Sequence, residues 1–382
     1  MKVVFLSTFA LDANVSLIRE LQKTCDIYFF YETLHLKYTF LDKEKLSKLL
    51  TVGTEVEEMQ RFARFVPLNK TYIVKGVRNS QFFKKIWHSY KIHLLVKKIK
   101  PDVVLSDSYQ LTYLLSEIAY RKKTLLLVHD PFVHSGEQSV SNKLLRKIFF
   151  SMIPNKMLLN EKQKQKFITT YNQGKNQTFS SFLGMYEYLT CFTTEQTKND
   201  NKFDILFFGR ISPYKGIKYL LDAFVLITEQ RKYNDITLTV AGSGDFDFDI
   251  YSYEKYNNIK IINRYIQVDE LANLINASSV VICPYTDATQ SGVVMSAFAF
   301  KKPVIATKVG GLPEMIADGQ TGVLIAPKNV SEIKDAILTL YNDRNLLKTM
   351  EKNIKKEYFS EGKRTWKVAA SYFMEAFNKM IQ

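Results

Sequence analysis

The chain has 382 residues, enough for two or three domains that each bury a core, and its 46% hydrophobic and 24% charged residues exclude a disordered or fibrous protein. The formal net charge of +15 leaves nucleic acid, an anionic membrane surface and a phosphorylated substrate open as partners. The three cysteines are far apart and define neither a disulfide framework nor a zinc site, which is typical of a reducing cytoplasm.

The first residues, MKVVFLSTFALDA, resemble a signal peptide only superficially. Their apolar run is about five residues long, shorter than the roughly 7 to 15 residues of a signal-peptide core. We therefore expect a buried first strand over 3–7. No other stretch of the sequence approaches the roughly 20 apolar residues of a membrane span.

Short apolar runs alternate with helical patterns through the first half of the chain. The runs predict strands over 3–7, 26–30, 103–105 and 124–128, with a helix over 13–23 and an amphipathic stretch over 109–120. The runs are continuously apolar, as in parallel strands that are buried on both faces. This half of the chain is therefore predicted to be an α/β domain.

The basic excess is local. Residues 61–100 hold 11 Lys and Arg and no Asp or Glu, whereas residues 201–350 hold 16 of each sign. From Gln81 onward, apolar residues and lysines alternate at helical spacing. This pattern fits a helix that lies on an anionic membrane surface, and it equally fits a helix whose apolar face packs on its own domain while the lysines are solvated.

The α/β rhythm stops over 172–201, which places a domain boundary at 195/196. It then restarts with helices over 217–229 and 268–277 and with strands over 203–208, 236–241, 259–262, 280–284, 303–307 and 323–326. Ligands bind outside the carboxyl ends of the strands in such sheets, so the turns after these strands are the candidate sites.

Two of these turns carry groups that suit an anionic ligand. After strand 203–208 come Gly209 and Arg210, and Lys215 then opens a helix, so that two cations and a helix N-terminus lie at one strand end. The same sequence is also consistent with an Arg and a Lys that are merely exposed on a loop and bind no ligand. After strand 280–284, a polar loop leads into a buried apolar helix whose first amides would bind anionic oxygens without a metal, near Ser291, Gly292, Val293 and Val294.

Together, the segments GRxxPxKG, SGVV, PVIATxxGGxPE and GxTGxLIxP resemble family 4 of the retaining, nucleotide-sugar-dependent glycosyltransferases, densely over 200–330. The resemblance implies a GT-B fold, which is an α/β architecture of two facing Rossmann-like domains with a cleft between them. The N-terminal acceptor-side domain would cover 1–195 and the donor-binding domain 196–364, with a C-terminal helix in 365–382 that packs back on the first domain.

The implied reaction moves a sugar, with retention, from a nucleotide diphosphate sugar to a glycan or a lipid-linked acceptor. Bacterial surface polysaccharide synthesis (capsule, O-antigen or exopolysaccharide) uses such reactions. The nucleotide sugar is then a co-substrate, and we expect neither a metal nor another cofactor.

By the same resemblance, Arg210 and Lys215 would hold the donor's diphosphate and stabilise the charge on the leaving group. The expected donor-binding residues are Gly209, Asp287, Gln290, Ser291, Gly292, Val293, Val294, Ser296 and Glu314. The family usually carries two glutamates eight positions apart. Here one register places Ala288 and Ser296 at these positions and the other places Thr289 and Ala297, so the carboxylates are missing and the donor's identity stays open.

His129 follows strand 124–128 and corresponds, by resemblance, to the family's active-site histidine on the acceptor side. It would bind or orient the sugar and the acceptor hydroxyl. Two other interpretations stay open: a metal site with Asp130, His134 and Glu137, whose spacing matches no standard ligand pattern, and a histidine that only caps its strand.

Two further motifs resemble known binding motifs, but we do not interpret them as binding sites. Asp245, Asp247 and Asp249 contain the Asp-x-Asp pattern that binds a metal and a diphosphate in the other major glycosyltransferase fold, but we interpret them as solvated loop acids. The segment 242–244 lacks the third glycine of a dinucleotide-binding fingerprint.

Because the glutamates are missing, an inactive or scaffold homologue remains an alternative interpretation of the function. Because of the basic segment, a phosphate- or nucleic-acid-binding protein remains another. No nucleic-acid-binding module is found in the sequence, so nucleic acid is not the expected partner. The expected partners are a nucleotide-sugar donor and a glycan or lipid-diphosphate-linked acceptor, with an anionic membrane surface as the candidate partner of 61–100. We expect the protein in the cytoplasm, either free or peripheral on the inner face of the plasma membrane.

Overall fold

The structure is a computed structural model. It describes residues 1–8, 11–33, 41, 46–78, 80–132, 140–194 and 202–382, with the backbone alone for 140–145. The contacts divide the chain into two units: unit 1 comprises 1–184 and 366–382, and unit 2 comprises 185–365.

Unit 1 is built on one sheet. Its described strands are β1 (Lys2–Ser7), β2 (Asp26–Glu32), β3 (Leu50–Val52), β4 (Thr71–Val74), β5 (Val103–Ser106), β6 (Thr124–Val128), β7 (Asn155–Leu158) and β8 (Thr178–Ser180). They lie in the order β3-β4-β2-β1-β5-β6-β7-β8, and only the β3–β4 pair is antiparallel. The helices before residue 185 are α1 (Leu11–Leu21), α2 (Phe82–Ile99), α3 (Leu114–Ala119), α4 (Val140–Met152) and α5 (Lys164–Tyr171).

The first strand lies in the middle of this sheet. Residues 3–6 of β1 are fully buried, and the strand pairs in parallel with β2 on one side and β5 on the other. A strand with neighbours on both sides and helices over both faces contacts little water, which is why its sequence is continuously apolar. The prediction of a buried strand at the start of the chain is confirmed.

Unit 2 holds a second, fully parallel sheet. Its strands are β9 (Phe203–Phe208), β10 (Ile236–Gly242), β11 (Ile259–Asn263), β12 (Val280–Cys283), β13 (Val304–Thr307) and β14 (Gly322–Ile325). Its helices are α6 (Ile217–Thr228), α7 (Val268–Ala277), α8 (Gly292–Ala299), α9 (Leu312–Met315), α10 (Val330–Asn342) and α11 (Arg344–Tyr358). The order β11-β10-β9-β12-β13-β14 is that of a Rossmann fold, whose direction of winding reverses between β9 and β12.

The predicted strands and helices are confirmed with ends shifted by one or two residues, except over 109–120. There the helix covers only Leu114–Ala119. The residues before it bond locally, because Ser106 Oγ accepts from the amide of Ser108 and Ser108 Oγ accepts from the amide of Gln110. Such side-chain bonds compete with helical ones and delay the start of the helix.

Unit 2 begins earlier in the chain than the predicted boundary at 195/196. Residues 187–192 form a 3₁₀ helix that packs on α7 and α8. The amide of Tyr186 donates to the carbonyl of Met295 at 3.2 Å, and the amide of Thr194 donates to Asn273 Oδ1 at 3.0 Å. The predicted boundary itself lies at the edge of 195–201, outside the described residues.

The last helix, α12 (Trp366–Ile381), belongs to unit 1, where it packs on α1. Ser181 Oγ donates to the carbonyl of Ala369. Gly184 lies so close to the Trp366 ring that an added Cβ would be 2.5 Å from ring atom Cε2. The two ends of unit 1 are therefore in direct contact, and glycine is the residue that this contact permits.

One face of α2 belongs to the core of unit 1. Ile92, Val96 and Ile99 pack with Val4 and Val104 of the sheet. The prediction that the segment packs on its own domain is thus confirmed for this face of the helix. In the part of the chain that the structure describes, no helix combines the length and the apolarity needed to cross a membrane.

A carboxyl group is buried in the same region. The side chain of Glu117 on α3 is fully buried, and Ser106 Oγ donates to Glu117 Oε1 at 2.6 Å. Burial raises the pKa of Glu117 to about 8, because an ionised carboxylate loses its hydration there. Folded unit 1 therefore keeps a proton on Glu117 at neutral pH.

We predict that Glu117 makes unit 1 less stable as the pH rises. Between the ordinary glutamate pKa and about 8, the folded state holds a proton that the unfolded state has released, so the free energy of unfolding falls across this window, by a few kcal/mol at most. Glu117→Gln keeps the acceptor for Ser106 and removes the titration, so its unfolding free energy should fall less between about pH 5 and pH 9.

Denaturant titrations at both pH values test this. Trp87 and Trp366 are the two tryptophans of the chain and both lie in unit 1, so their fluorescence follows this unit. The exposed Glu375 of α12 supplies the control Glu375→Gln, which should behave like the parent chain. An equal pH dependence in the parent chain and in Glu117→Gln would contradict the assignment.

Candidate functional site

The loop after β9 lies at the point where the winding of the unit 2 sheet reverses. The amide of Gly209 donates to the carbonyl of Ala241 at 3.0 Å, and that of Ile211 to the carbonyl of Ser243 at 2.9 Å. These bonds fix the backbone on both sides of Arg210. The Arg210 side chain is exposed and that of Lys215 is half-buried.

The second part of this loop is held against the loop after β12. Residues 213–215 form a 3₁₀ turn, and the carbonyl of Tyr214 accepts from the amide of Thr286 at 2.8 Å. Gly216 follows with a φ of 65°, and an added Cβ would lie 2.0 Å from the carbonyl oxygen of Pro284. Only glycine allows both this conformation and this approach.

Lys215 lies over an aromatic ring. Its Nζ is 3.7 Å from the centroid of Tyr285, a buried residue whose carbonyl accepts from Thr307 Oγ1 at 2.6 Å. The ring face attracts the ammonium group and restricts its position. Burial raises the pKa of the neighbouring Cys283 thiol to about 11, so Cys283 stays neutral at physiological pH.

The N-terminus of α8 faces the same loops. An added Cβ on Gly209 would lie 3.6 Å from Val293 Cγ2, in the first turn of α8. Ser291 is the N-cap residue and is 4% exposed, and its side chain interacts with Cys283 and Tyr285. The buried Oγ of Ser212, in the loop after β9, has no hydrogen-bond partner among the described residues. The amides of a helix N-terminus and a buried hydroxyl without a partner suit the oxygens of an anionic ligand.

The turn after β13 closes against the β12 loop. Gly310 has a φ of 52°, and an added Cβ would lie 1.5 Å from the carbonyl oxygen of Ala288. Asp287 and Gln290 are half-buried in the loop that Gly310 contacts, and Glu314 is half-buried on α9. The loops after β9, β12 and β13 are therefore in contact at the carboxyl edge of this sheet.

Two predicted donor residues point into the protein. The side chains of Val294 and Ser296 are buried on α8. The positions at which the two glutamates would fall are buried as well, whichever register is used: Ala288, Thr289, Ser296 and Ala297. Neither register brings a carboxylate to the loops.

The acidic motif after β10 has a different character. Asp245, Asp247 and Asp249 are exposed, whereas Phe246 and Phe248 between them contact each other at 5.3 Å. The loop thus keeps its aromatic side chains half-buried and exposes its acids to solvent. Among the described residues, no group of three or more His, Cys, Asp or Glu side chains is arranged to hold a metal.

Unit 1 has a polar network where β1 and β5 end. The carboxylate of Asp107, 1% exposed, accepts from Ser7 Oγ at 2.9 Å and from the amide of Thr8 at 3.0 Å. Asn14 Nδ2 of α1 donates to both Asp107 and Ser7. The carboxylate is therefore fixed in place by donors from two segments, the end of β1 and helix α1.

His129, at the end of β6, lies beside this carboxylate. Its Nε2 is buried 3.8 Å from Asp107 Oδ2, without a hydrogen-bond partner among the described residues, while the side chain as a whole remains 22% exposed. Burial by itself would lower the pKa of His129, but Asp107, with Asp130 and Asp12, outweighs it and raises the pKa above the usual value. The alternative metal site with His134 and Glu137 falls on 133–139, outside the described residues.

A second buried carboxyl group lies next to this network. Glu32, at the end of β2, accepts from Thr112 Oγ1 at 2.8 Å and from Thr8 Oγ1 at 3.4 Å. Burial raises the pKa of Glu32, and the buried Lys85 of α2 opposes this rise. The carboxyl edge of the unit 1 sheet therefore concentrates titratable groups.

Several of these residues are not among those predicted from the sequence, notably Asp107, Asn14 and Tyr285. Asp107 follows β5 directly, so the rule that singled out the turns after the strands would have found it. Nothing in the sequence pattern marks Tyr285, because its role depends on the packing of Lys215 above it.

Comparison with known proteins agrees with the two-unit architecture. Residues 192–357, which form most of unit 2, match the family of glycosyl transferases group 1. A D-inositol 3-phosphate glycosyltransferase of Arthrobacter sp. is 33% identical over 147 residues, which cover 37% of this chain and 35% of that protein. An uncharacterized glycosyltransferase of Methanocaldococcus jannaschii is 23% identical over 340 residues, 81% of each chain. The match with the first of these spans about a third of that relative's length.

The likeness in structure extends over both units. The crystal structure of HepE from Anabaena, in complex with UDP, superposes with a TM-score of 0.67 at 16% identity and covers 99% of this chain and all of that one. Sequence identity this low establishes the fold alone. The protein has the GT-B fold of two Rossmann-like domains, as the sequence predicted.

We predict that His129 titrates above the usual histidine pKa and that Asp107 is the main cause. Asp107→Asn keeps the size of the side chain and removes its charge, so the titration midpoint of His129 should fall. Protonated His129 stabilises the fold at low pH, and this contribution is lost as the pH rises through the folded-state pKa.

The measurement is the pH dependence of histidine ring signals by NMR, with His129→Gln to assign the resonance. His88 and His93 of α2 serve as internal references, because burial lowers their pKa values, to about 4 for His88. A midpoint that Asp107→Asn leaves unchanged would show that Asp107 does not control His129.

Proposed function

We propose that the protein is a glycosyltransferase that moves a sugar from a nucleoside diphosphate sugar to a hydroxyl group of a glycan or of a lipid-linked acceptor. The observation that carries this proposal is the convergence of Arg210, Lys215 and the α8 N-terminus at one edge of unit 2. Cations, amide N–H groups and buried hydroxyls are the groups that bind a diphosphate.

In the proposed reaction, the bond between the anomeric carbon and the diphosphate breaks, a bond to the acceptor oxygen forms, and the proton of the acceptor hydroxyl is released. Negative charge grows on the departing nucleoside diphosphate. Arg210 and Lys215 stabilise that charge, and the Tyr285 ring below Lys215 keeps the ammonium group in position before the reaction begins. A fixed cation stabilises the transition state more effectively than a mobile one, because it does not have to reorganise.

The acceptor binds at the carboxyl edge of the unit 1 sheet in this proposal. His129 contacts the acceptor hydroxyl or the sugar and orients it, with the Asp107 carboxylate 3.8 Å from the imidazole on its buried side. The fixed carboxylate keeps a proton on His129 to a higher pH than an ordinary histidine.

The finer features follow the resemblance to family 4. We propose retention at the anomeric carbon, a role in bacterial surface polysaccharide synthesis, and a place in the cytoplasm or on the inner face of the plasma membrane. UDP sugars are the first donors to test, because HepE of Anabaena was crystallised with UDP and with UDP-glucose. Because the residues at the two glutamate positions are buried and carry no carboxylate, we propose that other groups bind the donor, with Asp287 or Gln290 facing its sugar.

Removing either cation should abolish transfer and leave unit 2 folded. We expect Arg210→Ala and Lys215→Ala each to weaken nucleoside diphosphate binding by about 10- to 150-fold, the equivalent of one charged hydrogen bond. Calorimetry with UDP, GDP and dTDP measures the binding, and release of nucleoside diphosphate from the matching sugars measures turnover.

Matched controls exist for both variants. Lys218→Ala removes a lysine three positions along, whose Nζ pairs with Asp222 at 2.7 Å, and Arg264→Ala removes an exposed arginine paired with Glu270. Both should bind and turn over normally.

His129→Ala should bind the nucleotide like the parent chain but lose turnover. Near-normal turnover in Arg210→Ala or Lys215→Ala would refute the assignment, and nucleotide binding without any turnover of the parent chain would indicate an inactive homologue.

Transfer should not require a divalent metal, because Arg210, Lys215 and the helix amides neutralise the diphosphate. We expect full turnover in excess chelator, and unchanged turnover in the double variant Asp245→Asn/Asp247→Asn, whose acids are exposed. Turnover that disappears with chelator and returns with a metal ion would overturn metal independence, and loss in the double variant would identify the acidic loop as the metal site.

A further inference from the structure

Helix α2 carries an unusual share of the exposed apolar surface. Eleven large hydrophobic side chains are exposed in the described part of the chain, and five of them belong to this one helix: Phe82, Phe83, Trp87, Tyr90 and Leu94. Phe83 is 87% exposed and Trp87 is 52% exposed. Aromatic side chains concentrated in this way on a surface mark an interaction site, whereas scattered ones need no explanation.

Four of these residues form a stripe. At about 100° per residue, Phe83, Trp87, Tyr90 and Leu94 fall within an arc of about 60° on the helix surface. The buried residues Lys85, His88, Ser89, Ile92, Val96 and Ile99 fall within an arc of about 100° centred on the opposite side. The helix therefore has two apolar faces, of which the core of unit 1 uses one.

Lysines flank the exposed stripe. Lys84, Lys91 and Lys98 recur every seven residues along one side of it, and Lys97 lies on the other. All four are exposed, and Lys91 Nζ lies 5.3 Å from the centroid of the Trp87 ring. No acidic residue occurs anywhere in 61–100. The charge on this surface is complementary to an anionic one.

We propose that the outward face of α2, defined by Phe83, Trp87, Tyr90, Leu94 and the flanking lysines, binds an anionic lipid bilayer. The aromatic side chains enter the interface between head groups and acyl chains, and the lysines lie at the level of the lipid phosphates. A helix fixed to a folded domain by its other face lies along the membrane surface and does not cross it. This surface is distinct from the donor and acceptor sites, and the proposal does not depend on glycosyl transfer.

Tryptophan fluorescence tests the proposal directly. Trp87 lies in the stripe, and the only other tryptophan, Trp366, is 3% exposed. With vesicles of phosphatidylcholine and about 30% phosphatidylglycerol at low salt, the emission should shift to shorter wavelength and be quenched by brominated acyl chains. Vesicles of phosphatidylcholine alone should have little effect, and Trp87→Phe should abolish the quenching.

Variants separate the two contributions in vesicle sedimentation. Phe83→Ser/Trp87→Ser removes apolar contacts, and we expect at least about tenfold weaker binding. Lys84→Gln/Lys91→Gln/Lys98→Gln should weaken binding to anionic vesicles on the order of 100-fold. The matched controls lie in unit 2: Tyr251→Ser removes an exposed aromatic residue, and Lys352→Gln/Lys355→Gln/Lys356→Gln removes three exposed lysines from α11. Both should bind like the parent chain.

Several results would overturn the proposal. They are equal binding to neutral and anionic vesicles, an equal loss in the unit 2 controls, or no quenching of Trp87 by brominated lipid. Self-association in sedimentation velocity that Phe83→Ser/Trp87→Ser abolishes, without vesicle binding, would assign the stripe to a second copy of the chain. Donor binding by calorimetry needs no vesicles, so failure here is distinguishable from failure of the proposed function.

Discussion

The donor side of this protein depends on how closely three loops approach one another at the carboxyl edge of the unit 2 sheet. A Cβ at Gly216 would lie 2.0 Å from the Pro284 carbonyl oxygen, and one at Gly310 would lie 1.5 Å from that of Ala288. Contacts this close leave no room for a side chain, so each loop fixes the position of the next. These contacts restrict the position of Lys215. The residue after it is held against the β12 loop, and its ammonium group lies over the ring of Tyr285. Preorganisation of charge by backbone packing is what electrostatic stabilisation of a leaving group requires.

At the carboxyl edge of the unit 1 sheet, the polar groups are held in position by a different kind of contact. Here buried side chains take the place of close backbone contacts, and the donors to Asp107 come from the end of β1 and from α1. Burying a carboxylate is costly unless several donors satisfy it. Asp107 meets that condition, and its charge in turn raises the pKa of the neighbouring His129. Glu117 shows the contrary case: with a single hydroxyl donor in the same interior, it keeps its proton.

The sequence predicted the fold well because the strands of parallel sheets are continuously apolar and their ends are marked by glycine and polar residues, as at β9 and β12. It predicted the site less completely. Arg210 and Lys215 are visible in a motif, but Tyr285 and Asp107 matter through packing between segments far apart in the chain. The contacts divide the units at 184/185, ahead of the predicted boundary, for a similar reason: residues 187–192 have no sequence rhythm and join unit 2 through their contacts with α7 and α8.

Helix α2 shows most clearly what a one-dimensional pattern cannot resolve. Its apolar residues fit two interpretations, packing on the domain or lying on a membrane. In the structure one apolar face packs on the domain and a second one is exposed. A periodic sequence pattern reveals an apolar face when the opposite face is polar. In α2 the two apolar faces lie on opposite sides and cancel each other, so the helix has only a weak amphipathic pattern. The positive charge of the chain also divides into two separate parts. Residues 201–350 are neutral overall, so the two cations at the donor loops act locally, whereas the excess in 61–100 includes the exposed lysines beside the aromatic stripe. The net charge of +15 is therefore a property of a surface on unit 1 more than of the chemistry in unit 2.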